Sequence, residues 1–257
     1  MTNNMMQNPY QLSNKIALIT GGAEGIGLGT ASVFLSLGAK VIITGRNLGT
    51  LQQAQQNLGR NCLIYQHDVT DKASHRDLQT YIEKEAGVLD ILVHNAGKHL
   101  KKPSLEVTDQ EFQSVMDTNL HSVFALTRTL IKGMIERKSG SVIFISSMSA
   151  LYGLEKIIAY TSSKTALLGM TRALASEYSH SGVRFNAIAP GFIESKMLAS
   201  AMNDDPERKS KVLKRTPAGR FGKPEEIGMA AAFLASDASQ FITGICLPVD
   251  GGNAIGF

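Results

Sequence analysis

Seven short runs of aliphatic and β-branched residues alternate with longer stretches of helical spacing, and this alternation constrains the 257-residue chain more than any other feature. The runs are Lys15–Thr20, Lys40–Thr44, Cys62–Tyr65, Leu89–His94, Ser141–Ser146, Arg184–Ala189 and Ile245–Val249. They contain few alternating polar positions, the pattern of strands covered by helices on both faces. Between them, Ile26–Leu37, Leu48–Leu58, Ser74–Ala86, Asp109–Arg137, Ile158–Tyr178 and Glu225–Ala235 read as helices. The alternation predicts an α/β chain with a doubly wound, parallel, seven-stranded sheet, and the length fits a single domain over residues 1–257. Residues 1–13 read as a loose leader. Glu194–Arg220 is polar, contains two prolines and matches neither period. It follows the sixth strand, at the sheet edge where such folds bind ligands, so it is expected to be a substrate lid.

Composition removes several classes of function. With 43% hydrophobic and 19% charged residues, wholesale disorder is excluded. No apolar run approaches the ~18 residues of a membrane span, and the first residues lack the basic and apolar regions of a signal peptide. A soluble, cytoplasmic protein is expected. The net charge of +4 mildly favours anionic ligands and does not point to nucleic acid. Cys62 and Cys246 cannot build a disulfide framework and read as small hydrophobes. His67, His75, His121 and His180 are scattered, so no metal is expected.

The first strand runs directly into Thr20-Gly21-Gly22-Ala23-Glu24-Gly25-Ile26-Gly27. Gly21 suits the tight turn, Gly25 lets backbone approach a pyrophosphate, and Gly27 permits close helix packing. The helix that opens there offers N–H groups and a positive dipole end to phosphates. A glycine-rich loop between an apolar strand and a helix is the context of a Rossmann-type dinucleotide site. The second strand ends at Gly45-Arg46-Asn47, with no carboxylate for an adenosine ribose. Arg46 instead supplies a planar cation for a 2′-phosphate, which favours NADP. Glu24 would repel that phosphate if it turned inward, so NAD or dual use stays open.

Taken with these features, the chain from about Leu12 to Gly252 resembles the short-chain dehydrogenase/reductase family. Thr20 to Gly27 is similar to its cofactor loop, and Asp68-Val69 to its adenine-contacting pair. Asn95-Ala96-Gly97 is similar to its fourth-strand motif, here preceded by His94 rather than the commoner Asn. Asn119, Ser147, Tyr160 and Lys164 fall at the positions of the catalytic tetrad. Pro190-Gly191, Ile193 and Ser195 fall where the family holds the nicotinamide carboxamide, Ser195 replacing the usual Thr. Their ordered co-occurrence carries the resemblance. It implies hydride transfer between NADP or NAD and a small-molecule alcohol or carbonyl, with a homotetrameric assembly.

The residues supply a chemical reason for the tetrad. Tyr160 and Lys164, spaced i, i+4, share a helix face. At ~4 Å and an effective dielectric of ~20, one ammonium favours a phenolate by about 4 kcal/mol, roughly three pKa units; desolvation opposes the shift, and Tyr160 is still expected to titrate close to neutrality. Tyr160 is thus the expected general acid and base. Ser147 is expected to hydrogen-bond the substrate oxygen. The resemblance further gives Lys164 a contact to the nicotinamide ribose and Asn119 a water linking Lys164 to solvent. Tyr152, the rival tyrosine, has no lysine four residues on and reads as wall or core.

Two basic clusters, Lys98-His99-Leu100-Lys101-Lys102 and Arg208-Lys209-Ser210-Lys211 with Lys214-Arg215, lie in expected crevice loops. They read either as solvated charge or as an attractor for an anionic substrate. Lys101-Lys102-Pro103 and Thr216-Pro217 through Glu226 resemble gluconate 5-dehydrogenases and related sugar-acid enzymes, and less closely 3-oxoacyl-carrier-protein reductases. The carrier-docking basic pair of the latter corresponds here to Lys132 and Ser176, so one cation is missing. A sugar acid or polyhydroxy ketone is the expected substrate. A non-catalytic dinucleotide sensor is the reading from another class, and retention of all four tetrad positions argues against it.

Overall fold

A computed structural model describes residues 8–195, 198 and 206–256. Seven strands form one sheet: β1 Ile16–Thr20, β2 Lys40–Gly45, β3 Cys62–Gln66, β4 Ile91–His94, β5 Gly140–Ile145, β6 Val183–Pro190 and β7 Cys246–Val249. Every pairing is parallel, and the order is β3-β2-β1-β4-β5-β6-β7. The order reverses between β1 and β4, which opens a crevice at the C-terminal ends of those strands.

Alternate residues of each strand feed two cores. Ala17, Ile19, Ile43 and Ile143 point to one face, where helices α1 (Gly25–Ser36), α2 (Leu48–Leu58) and α8 (Pro224–Ala235) cover them. Leu18, Ile42, Leu92 and Phe144 point to the other, against α3 (His75–Glu85), α5 (Ser122–Glu136) and α6 (Ile158–Tyr178). Each fully buried Leu, Ile or Phe side chain among them contributes about 1.5–3 kcal/mol of transfer free energy. Burial on both faces is why the strands lack polar alternation. The sequence expectation of a doubly wound sheet is met strand by strand, with boundaries shifted by one or two residues.

Three expectations need correction. The continuous helix expected over Asp109–Arg137 is two helices, α4 (Asp109–Met116) and α5, joined by a π turn at Asp117–His121. Ser122 N–H donates to Asp117 O, five residues back, so one extra residue is accommodated. The compensation is tertiary: the buried Asn119 in that turn bonds Lys98 and Ser163. Second, the expected lid contains helix α7, Pro206–Arg215. Val212 and Leu213 are its sole aliphatic residues, too few to mark a helical stripe. The legible signal was at its ends, with Pro206 and Glu207 in the first turn and Lys214 and Arg215 in the last, as the helix dipole favours. The rest of that segment, 196–197 and 199–205, and the Arg208 side chain lie outside the described residues. Third, the described part of the leader is fastened. Leu12 is fully buried and its N–H donates to Leu37 O at 2.9 Å, while residues 1–7 lie outside the described residues.

No helix among the described residues is long and apolar enough to cross a membrane. Burial raises the Cys62 thiol to about 11, in keeping with its reading as a hydrophobe.

Helices α1 and α8 touch backbone to backbone. A Cβ at Gly228 would lie 2.9 Å from Gly29 O and 3.0 Å from Thr30 Cα. Gly228→Val should therefore destabilise the fold by about 1–3 kcal/mol through overpacking. Calorimetry should find its Tm several degrees lower, while Met229→Val at the exposed neighbouring position should change Tm little.

Candidate active site

The crevice begins with a clamp between β1 and β4. The Thr20 hydroxyl accepts from Asn95 N–H at 3.0 Å and from Ala96 N–H at 3.1 Å. The Asn95 amide donates back to Thr20 O at 3.0 Å and Gly21 O at 2.8 Å. These bonds fix the turn after β1. A Cβ at Gly27 would stand 2.2 Å from Gly21 O, so glycine is required where the helix crosses the loop. Gly25, with φ +51°, completes the turn into α1.

A cleft of about 690 Å³ opens above this loop. Gly21, Glu24, Arg46, Asp68, Val69, Ala96 and Gly97 line it, so the structure gathers seven of the expected nucleotide residues at one place. Burial works to raise the Asp68 carboxyl. Hydrogen bonds from Thr70 N–H at 2.9 Å and the Thr70 hydroxyl at 2.8 Å, with the nearby Arg46 guanidinium, outweigh it and hold the carboxyl below its ordinary value. Arg46 and Glu24 are both exposed on this cleft.

An adjoining cleft of about 220 Å³ is lined by Ile26, Asn95, Gly97, His99, Ser147, Tyr160, Lys164, Pro190 and Gly191. Gly97 and Lys98 border both clefts. Ser147 sits just beyond β5 in extended backbone, and its hydroxyl accepts from Ser149 N–H at 3.1 Å and the Ser149 hydroxyl at 3.0 Å. Tyr160 and Lys164 lie one turn apart in α6. The Lys164 ammonium is buried and donates to Ile145 O at 2.7 Å, and it lies 5.7 Å from the centre of the Tyr160 ring. The Ser146 hydroxyl fastens this turn of α6 by donating to Lys164 O at 2.9 Å.

This geometry corrects the sequence-based electrostatics. Burial pushes the Tyr160 phenol above its usual value, opposed by a hydrogen bond with Ser147. Burial also lowers Lys164 to about 8. Desolvation outweighs the ammonium because the amine's hydrogen bond goes to Ile145 O and not to the phenol. The site therefore holds a protonated phenol beside a serine hydroxyl, an arrangement suited to giving a proton to a carbonyl oxygen.

Asn119 lies behind the reaction cleft. Its amide donates to Lys98 O at 2.9 Å and the Ser163 hydroxyl at 3.0 Å, and its oxygen accepts from Lys98 N–H at 2.7 Å. Both amide protons are thus engaged by protein. Ile193 bridges to Gly222, and the exposed Ser195 hydroxyl accepts from Leu198 N–H at 3.0 Å. His94 is a core residue, stacked on Phe144 and hydrogen-bonded to Thr127 at 2.8 Å. The Tyr152 hydroxyl is bonded to Asn253 and its ring lies under Arg215 at 4.3 Å.

Of the first basic cluster, Lys98 and His99 line the smaller cleft, whereas Lys101 and Lys102 are not among its lining residues. Lys98 reaches Ser114 at 2.7 Å, and Lys102 pairs at 2.9 Å with Glu111, which is itself engaged in capping α4. His99, read in sequence as one member of a charged run, packs its ring 4.7 Å from that of Tyr160. Thr20, Ser149 and Ser163 also support the site. A hydroxyl at a strand end was the available signal for Thr20, and nothing local marked the other two. Among the described residues no cluster of His, Cys, Asp or Glu could hold a metal ion.

Comparison with known proteins places this architecture among others. A family model described as enoyl-(acyl carrier protein) reductase matches residues 21–254. The chain is 36% identical over 249 residues to a 3-oxoacyl-[acyl-carrier-protein] reductase of Thermotoga maritima, covering 95% of this chain and 100% of that one. It is 37% identical over 251 residues to a 2-dehydro-3-deoxy-D-gluconate 5-dehydrogenase of Pseudoalteromonas atlantica, covering 96% and 98%. The crystal structure of a gluconate 5-dehydrogenase from Burkholderia cenocepacia, in complex with NADP and tartrate, superposes with a TM-score of 0.91 at 32% identity, covering 97% and 99%.

The buried lysine has a pH signature. Its pKa of about 8 in the fold lies below the 10.5 of an exposed amine, so between these values the unfolded chain binds more protons. The cost of burying the charge is fully present below pH 8 and fades as pH rises towards 10.5. Lys164→Met should accordingly raise Tm relative to the parent by more at pH 7 than at pH 10. The full swing corresponds to about 3 kcal/mol, and calorimetry at both pH values checks it; a difference independent of pH would contradict it.

Proposed function

The chain belongs to the short-chain dehydrogenase/reductase family, oxidoreductases that act on CH–OH groups, and we propose that it interconverts the secondary alcohol and ketone of a sugar acid or related polyhydroxy compound using NADP(H). The observation that carries this reading is the convergence of Ser147, Tyr160 and Lys164 on a cleft that shares Gly97 with the cleft of Arg46.

The residues present fit a dinucleotide. Arg46 suits the 2′-phosphate, Asp68 and Val69 the adenine, and the loop from Gly21 through Glu24, Gly25, Ile26 and Gly27 the pyrophosphate at the start of α1. With Gly25 at φ +51° and Gly27 against Gly21 O, neither position carries a side chain into the turn that meets α1, as a backbone cradle for phosphates requires. Asn95, Ala96, Pro190, Gly191, Ile193 and Ser195 suit the nicotinamide end. When bound, the dinucleotide supplies or accepts the hydride; the protein supplies position and field.

In the reducing direction Tyr160 gives its proton to the substrate carbonyl oxygen, and it takes the proton back in oxidation. Ser147 donates a hydrogen bond to that oxygen and keeps it within reach of the phenol. Lys164, anchored on Ile145 O, holds positive charge at the floor of the cleft, where it stabilises the phenolate left when Tyr160 gives up its proton and can meet the nicotinamide ribose. Asn119 fixes the Gly97-Lys98 loop beside it. The segment 194–220, with α7, acts as the substrate lid. The exposed Phe124 of α5 and Ile158 of α6 support a homotetramer in which helices of neighbouring copies cover them.

The sugar-acid assignment is supported by the relative named for 2-dehydro-3-deoxy-D-gluconate and by the neighbour holding tartrate, itself a hydroxy acid. A second reading, reduction of 3-oxoacyl-carrier-protein thioesters, is favoured by the Thermotoga maritima relative of nearly equal identity.

A purified-enzyme panel separates the two. NADPH oxidation with 5-ketogluconate and little with acetoacetyl thioesters is expected, and the reverse would favour the second reading. Tyr160→Phe should lower kcat by about 10²–10⁴ while NADPH titration finds binding retained; a variant as active as the parent would remove Tyr160 from the chemistry.

A further inference from the structure

The smaller cleft carries one polar side chain that the chemistry above leaves without a task. Among the described residues that line it, Ser147, Tyr160 and Lys164 serve the reacting oxygen, and the Asn95 amide is spent on Thr20 O and Gly21 O. The Ser146 hydroxyl donates to Lys164 O, and the Lys98 ammonium reaches away to Ser114 at 2.7 Å. His99 remains. It is exposed on the cleft, and its ring lies 4.7 Å from that of Tyr160, tilted by 56°. The loop sets its position. On one side Lys98 exchanges two main-chain hydrogen bonds with the buried Asn119 amide, at 2.7 and 2.9 Å. On the other, Lys102 N–H donates to Lys156 O at 2.7 Å while its ammonium pairs with Glu111. A ring on a loop pinned at both ends is placed before a substrate arrives, which lowers the ordering cost of using it.

What the ring can recognise follows from where it stands. A carbonyl oxygen held between the Ser147 and Tyr160 hydroxyls brings the carbons that flank it against the side chains beside the phenol, and His99 is beside the phenol. A neutral imidazole offers one donor and one acceptor, and a charged one offers two donors. A hydroxyl both donates and accepts, so it can bond the ring in either state, whereas a methylene offers it nothing. Resting on the sugar-acid reading above, we propose that His99 determines specificity by hydrogen-bonding a hydroxyl on a carbon next to the reacting one. It thereby selects hydroxyketones over ketones flanked by methylenes, such as a 3-oxoacyl thioester.

The test compares kcat/KM for 5-ketogluconate with that for its 4-deoxy and 6-deoxy analogues, each lacking one of the hydroxyls that flank the ketone. The parent should favour 5-ketogluconate over one of these analogues about tenfold, the worth of one hydrogen bond. His99→Leu should lose that preference through a fall in kcat/KM for 5-ketogluconate, with the value for that analogue unchanged. His99→Gln, which keeps a donor and an acceptor, should recover part of the preference, and NADPH titration should find both variants like the parent. A His99→Leu enzyme that keeps the preference would overturn the proposal, as would a parent that shows none. An equal loss on all three compounds would also overturn it, since the ring would then serve only to pack against Tyr160. A parent that reduces acetoacetyl thioesters and leaves 5-ketogluconate untouched would overturn the sugar-acid reading itself, and the proposal with it.

Discussion

Thr20 and Asn95 hold the ends of β1 and β4 together, and both clefts depend on that join. Neighbouring parallel strands that continue into different crossovers have no reason of their own to stay together past the last ladder bond. Here one hydroxyl accepts two backbone N–H groups and one amide returns two bonds to the opposite chain. Four hydrogen bonds thus extend the pairing beyond the sheet and set where the glycine loop on one side and Gly97 on the other face each other. The nucleotide cleft and the reaction cleft meet at Gly97 for that reason.

The reaction cleft is governed by a contest between burial and charge. Burial lowers the lysine and raises the tyrosine, and both shifts favour neutral forms. What keeps Lys164 useful is its carbonyl partner at Ile145, which holds the amine in place whether or not it is charged. What keeps Tyr160 useful is Ser147, whose hydrogen bond works against the desolvation. The serine hydroxyl is itself braced by Ser149, so one short segment after β5 fixes the hydroxyl that faces the phenol.

How much of this was legible in the sequence depended on the range of the forces involved. The strands were legible because two-sided burial leaves unbroken apolar runs such as Ile16–Thr20. The glycine loop was legible because close packing at Gly27 acts between near neighbours. Helix α7 was not, since it has almost no apolar face and only its end charges speak for it. The spacing of Tyr160 and Lys164 gave their shared helix face but not the acceptor the amine would choose, which belongs to a strand about twenty residues away. The same limit hid the place of His99 against the Tyr160 ring, because that loop and that helix meet only once the chain has folded. Lys102 illustrates the converse. In sequence it stood equally for solvated charge or for a substrate cation, and Glu111, a capping residue of α4, pairs with it.

The π turn at Asp117–His121 carries a consequence for how this protein can change over time. A regular helix would bond more evenly, so the irregular turn persists because Asn119 ties it to the loop of Lys98 and to Ser163. Loss of a single codon in this stretch would let the helix heal into uniform winding and would rotate that anchor away from its partners. The chain would keep its apolar surfaces while losing the tie between that turn, the Lys98 loop and Ser163. A deletion at this point therefore breaks three tertiary bonds, in the middle of an element where a reader of hydropathy alone would consider it harmless.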